Sequence, residues 1–149
     1  MNKRIAHNLT WGPIFIIGII ACTLGLIGCL HQEPWLLDQT PNEVLIQTSF
    51  NALFAEKINS GLSLYLTTLY KFFGMWLITI GSLVIGYVYV TRLGTKVARN
   101  SIFLILMANF LATYYLAFNY LSSSSLIAIL HLLSFFLALS VFFSKYLPN

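Results

Sequence analysis

The sequence predicts an all-α polytopic membrane protein: four transmembrane helices in an antiparallel bundle, with an amphipathic helix in the first outer loop. Three observations predict it. Of 149 residues, 58% are hydrophobic and only 8% are charged, against roughly 25% charged in soluble domains. Four apolar runs, nearly free of charge, each approach the ~20 residues that cross a bilayer's hydrocarbon core as a helix. All four acidic residues, Glu33, Asp38, Glu43 and Glu56, lie between the first two runs, whereas a soluble domain spreads its carboxylates over its whole surface. A soluble globule is excluded, and the length suits a single membrane domain over 1–149.

The first span is expected at 12–30. Gly18, Cys22, Gly25 and Cys29 recur at helical spacing along it, a small-residue stripe that lets membrane helices approach closely. A groove for a flat ligand or a lipid tail is the functional alternative to packing. The two cysteines are roughly 10 Å apart along a helix axis, too far for a mutual disulfide. With no CxxC pair they offer no metal or redox framework. Leu26-Ile27-Gly28-Cys29 also has the form of a lipobox, which would make Cys29 a lipidation site. That pattern is short and common in apolar helices, and small-residue packing accounts for it better.

The outer loop contains Thr40-Pro41-Asn42-Glu43, with an N-cap threonine, proline at the first helical position and glutamate three residues after the cap. Ile46, Phe50, Leu53 and Phe54 then recur on one face. An amphipathic helix over 41–58 is expected, either lying in the outer interface or capping the bundle. As a lid it would turn Ile46, Phe50 and Phe54 inward over the bundle's outer mouth.

The second span is expected at 64–90, with Tyr65, Tyr70, Tyr87 and Tyr89 near its two ends as interfacial aromatics. Lys71 opens its most apolar part and either snorkels to headgroups or pairs with Glu56 of the loop helix. The third and fourth spans follow at 101–121 and 126–144. The short linkers 91–100 and 122–125 make successive helices antiparallel neighbours. Lys3 and Arg4, then Arg92, Lys96 and Arg99, then Lys145 share one side in a four-span arrangement. The acidic loop falls on the other. The positive-inside rule therefore puts both termini in the cytoplasm, as in a bacterial inner membrane or its equivalent.

Polar residues inside apolar spans are costly unless partnered. His131 lies well inside the fourth span and Ser134 follows on the same face. Tyr115 and Asn119 of the third span reach about the same depth. Read functionally, His131, Tyr115, Asn119 and Ser134, with Lys71 and Glu56 at the rim, outline a ligand or quinone site in the outer half. Read plainly, they are interhelical hydrogen bonds, worth about 0.6 kcal/mol on average. His31 sits at or beyond the interface, so it does not share a depth with His131 as a pair of haem ligands would.

The formal net charge of +4 does not signal nucleic acid, because the eight basic residues are scattered near span ends with no basic stripe. No acid, base, nucleophile or metal-ligand groups converge, so no catalytic residue, metal or cofactor is assigned. The expected function is a non-catalytic accessory or scaffolding subunit packing against partner helices, a second copy or membrane lipid. The alternative is a redox-linked or lipophile-binding protein, taking a quinone or lipid in the outer half.

Gly25-Leu26-Ile27-Gly28 ending the first span, then Glu33-Pro34-Trp35, then Lys71-Phe72-Phe73-Gly74 opening the second, form a layout that resembles the DoxX-like small four-helix membrane proteins. Lysine stands where those proteins commonly carry arginine. The resemblance implies a four-helix membrane fold and a link to redox or quinone-associated membrane complexes, and it assigns no functional residue.

Overall fold

The computed structural model describes residues 2–120 and 124–147, and among these the chain is helical, with no strand. Six α-helices follow in order: α1 (Lys3–Leu30), α2 (Gln39–Ile46), α3 (Phe50–Ala55), α4 (Leu62–Thr91), α5 (Lys96–Tyr120) and α6 (Leu126–Ser144). Those of α1, α4, α5 and α6 are long and apolar enough to cross a membrane.

Two of the long helices start earlier than expected. α1 begins at Lys3 rather than 12, because the Asn2 side chain accepts from the Arg4 N–H at 3.0 Å and caps it. Its 28 residues rise about 42 Å, so hydropathy picks out only the apolar part of a longer helix. α5 begins at Lys96 rather than 101, capped by Thr95, whose hydroxyl accepts from the Ala98 N–H at 3.2 Å. The last residue of the expected third span, Leu121, and Ser122 and Ser123 of the linker lie outside the described residues.

The amphipathic helix expected over 41–58 is two short helices. Gln47 turns into the left-handed region (φ 55°) and ends α2, and Ser49 caps α3 by accepting from the Ala52 N–H at 3.2 Å. Glu43 does not complete a capping box with Thr40. Its carboxylate accepts from Gln39 at 2.9 Å and reaches across the break to the Phe50 N–H, also at 2.9 Å. The break follows from Thr48 and Ser49, residues that favour a helix start over a helix interior.

α1 packs against α4 and α6, and α5 packs against α6. The α1–α4 contact joins Gly18 to Gly81 and Gly25 to Gly74, so these two helices run in opposite directions. The core lies at the end where α4 turns into α5. There Ile14 and Ile17 meet Val84, Val88, Leu106 and Leu137 from the other three long helices. The 92–95 turn is held from within by Arg99, which is 4% exposed and donates to the carbonyls of Leu93 (3.3 Å) and Gly94 (3.2 Å). Expected as a linker charge that orients the chain, Arg99 is a buried staple in the first turn of α5.

Candidate functional site

The small-residue stripe of α1 is where α1 meets α4. Both helices use a seven-residue repeat: 18, 22, 25 and 29 on α1 against 74, 78, 81 and 85 on α4. Such a repeat keeps one seam facing its partner along the whole contact. A methyl group built on Gly25 would lie 2.5 Å from the Gly74 carbonyl oxygen, and one on Gly81 would lie 2.6 Å from that of Gly18. The Cys29 thiol donates to the Lys71 carbonyl at 3.4 Å, and the Cys22 thiol donates to that of Ile78 at 3.6 Å. The thiols are consumed in helix packing, and the seam leaves no groove for a flat ligand.

The polar level expected for an outer half is built from a different set of residues. Tyr114, not Tyr115, turns to α6: its hydroxyl lies 3.2 Å from the Ser134 hydroxyl, and its ring meets the His131 ring edge-on at 5.5 Å. Phe118 stacks on Tyr114 at 5.8 Å. Tyr115 is 66% exposed, and Asn119, also exposed, donates to the Tyr115 carbonyl of its own helix at 2.7 Å. A single residue step turns a helix position by about 100°, which separates Tyr114 from Tyr115. The buried positions Phe103, Leu106, Phe110 and Ala117 share a face with 114, and that phase is the sequence signal that selects it. Lys71 and Glu56 are both exposed, form no ion pair with each other and are not hydrogen-bonded to this level.

The aromatic residues of the loop pack on one another. Trp35 and Phe50, each 5% exposed, pack together at 6.5 Å, and Phe54 closes the cluster at 5.6 Å from both. Ile46 is exposed. Two polar ties anchor the loop. The Asn42 amide donates to the Tyr70 hydroxyl of α4 at 2.7 Å, and Ser124, just before α6, donates to the Asp38 carboxylate at 2.8 Å. His31 turns its Nδ1 to the Glu33 N–H at 3.1 Å.

An open crease of about 550 Å³ lies between α5 and α6. Leu104 and Met107 form one wall, Ala138 and Val141 the other, with Asn100 and Ser134 as its polar members. Its surface is apolar and can accept an alkyl chain, but it offers no nucleophile beside a base. Among the described residues no group of three or more His, Cys, Asp or Glu side chains is placed to hold a metal ion.

Among the described residues, fold and site together define an all-helical arrangement with four membrane-length helices, a small-residue seam and an apolar crease. No family model, curated protein or solved structure matches the chain.

Proposed function

We propose that this chain is an integral membrane protein of four antiparallel spans with both termini on the inner side. On this reading it works as a non-catalytic accessory or scaffolding subunit that packs against partner helices, a second copy or lipid. The observation that carries the reading is the apolar surface left uncovered along the long helices. Leu104, Ile105, Leu111 and Phe118 of α5 and Leu83 and Val90 of α4 are all more than half exposed. Continuous apolar faces of that extent mark contact with membrane or with protein. The confinement of all four carboxylates to the loop agrees, since an enzyme would bring some of them to a site. The layout shared with DoxX-like proteins belongs to this reading as a likeness of form.

A quinone or lipophile site in the outer half is the rival. Tyr114 and Ser134 already satisfy one another, and the residues expected beside them face away, so the polar level is better explained as helix packing. Native mass spectrometry of gently solubilised protein separates the two: a stable partner subunit or homo-oligomer is expected, and a retained small lipophile with no partner favours the rival. Reporter fusions at residue 149 and within 31–60 test the topology, and an outward-facing carboxyl end would overturn it.

A further inference from the structure

The crease between α5 and α6 has a charged mouth. Its α5 wall runs from Asn100 to Met107 and its α6 wall from Val141 back to Ser134, about 10 Å along each helix. Lys96 is the first residue of α5 and lies four residues before Asn100, so it extends the same face by one turn. Lys145 follows α6 with helical backbone angles (φ −65°, ψ −21°) four residues after Val141, and extends the opposite wall by one turn. Both lysines are exposed and, among the described residues, neither has an ion-pair partner. The Asn100 amide is exposed between them and the apolar crease, with no hydrogen-bond partner among the described residues. The other basic residues of the same turn are engaged: Arg92 lies over the Trp11 and Tyr89 rings, and Arg99 is buried against backbone carbonyls.

We propose that this crease holds an acyl chain of an anionic phospholipid, with the lipid phosphate between Lys96 and Lys145 and its ester region against Asn100. The proposal rests on the membrane reading above. The order of chemistry along the crease fits an inner-leaflet phospholipid: two positive charges, then one amide, then apolar surface. Its length, about 10 Å, is about a third of a hydrocarbon core roughly 30 Å thick and stays within one leaflet. A zwitterionic lipid would fill the crease equally well but would gain less from the two lysines. Lys and Arg near a membrane surface each favour anionic lipid severalfold.

The full chain, reconstituted in nanodiscs of equal phosphatidylglycerol and phosphatidylcholine and released for native mass spectrometry, tests this. Phosphatidylglycerol should be retained over phosphatidylcholine by on the order of tenfold. Lys96→Gln with Lys145→Gln should bring the two lipids to near parity. Lys3→Gln with Arg4→Gln, which removes charge at the amino end of α1, should keep the preference. Ala138→Trp, which fills the crease and leaves both lysines in place, should lose the retained lipid. Equal retention by the unaltered chain would overturn the proposal. So would a preference that survives the Lys96/Lys145 pair, one that vanishes with the Lys3/Arg4 pair, or lipid retention unchanged by Ala138→Trp. A chain that inserts but shows no preference refutes the lipid site alone; a chain that alkaline carbonate washes off vesicles refutes the membrane reading and this proposal with it.

Discussion

Replacing Gly25 with alanine puts a methyl carbon 2.5 Å from the Gly74 carbonyl oxygen and 2.8 Å from the Ile78 nitrogen. Both are backbone atoms, so no side chain can swing away. Restoring ordinary contact at 3.4 Å requires α1 and α4 to part by roughly 0.9 Å (3.4 − 2.5) at this level. A gap of that size forfeits a quarter to a half of the dispersion energy of each contact it opens. Overpacking of this kind costs about 1–3 kcal/mol. Alanine is also the better helix former by about 0.8–1.0 kcal/mol, which would mask part of the loss. Gly86→Ala supplies the correction, because nothing lies within 4 Å of its added methyl. Both variants share the propensity gain, so the stability difference between them isolates the steric cost, expected at about 1–3 kcal/mol. Reversible unfolding in mixed micelles, followed by far-ultraviolet dichroism, reads that difference. Gly25→Ala with Gly74→Ala should cost less than the sum of the single changes, because the first already separates the surfaces the second would press together. A Gly25→Ala variant as stable as Gly86→Ala would refute the close seam.

Arg99→Met removes charged donors from the Leu93 and Gly94 carbonyls and should lower stability by about 1.5–3 kcal/mol; Arg92→Gln, losing an exposed cation–π contact, should lower it by about 0.5–1 kcal/mol. Thermal unfolding in detergent compares the two, and equal losses would refute the assignment of Arg99 as the staple of the turn. Ser124→Ala frees Asp38 and should speed proteolysis within 34–59 while leaving the unfolding of the long helices nearly unchanged. Gln39 and then the Phe50 N–H hold the Glu43 carboxyl below its ordinary pKa. A depressed folded value means that its contribution to loop order is fully present above the ordinary carboxylate range and is lost as pH falls through the lowered value. Hydrogen exchange at the Phe50 amide should therefore lose protection on acidification, after correction for intrinsic exchange rates, and Glu43→Gln should flatten that dependence. An unchanged pH profile in Glu43→Gln would sink the link.

The four long helices were legible because hydropathy over some twenty residues outweighs any local signal, and α6 begins and ends at the expected residues 126 and 144. Helix starts were less legible. They depend on single caps such as Asn2 and Thr95, which lie outside the apolar runs. The break at Gln47 was hidden because Thr40 and Glu43 imitate a capping box while the cap in use is Ser49. In the seam, Gly18, Cys22, Gly25 and Cys29 name one side of a contact from spacing alone. Their partners on α4 depend on register, which one strand of spacing does not carry. The polar level was displaced by one residue, because depth in the membrane identifies a turn of helix but not a direction around it. The phase of the buried apolar positions supplies that direction and points to Tyr114. Arg99 was hidden for a different reason. A basic residue between spans is read as an orientation signal, and only the turn made by the positive φ angles of Arg92 and Leu93 (48° and 51°) leaves the Leu93 and Gly94 carbonyls for an arginine side chain to satisfy.

The two ends of the molecule are held by different physics, and this bears on where it can serve a partner. At the α4–α5 turn end, large apolar side chains from all four long helices interlock, Arg99 closes the turn, and Ser140 of α6 donates to the Thr10 carbonyl of α1. Loss of any of these leaves a cavity or an unsatisfied buried group, so this end resists change. At the other end, the glycine seam binds α1 to α4 directly, whereas Ser124, just before α6, is tied to the loop by its bond to Asp38. A hydrogen bond contributes about 1 kcal/mol net, far less than a packed core. The α5–α6 pair carries the apolar crease and much of the uncovered surface. A partner helix or lipid that fills the crease gains contact without disturbing the seam. The close α1–α4 seam and the open α5–α6 crease are thus built by different pairs of helices.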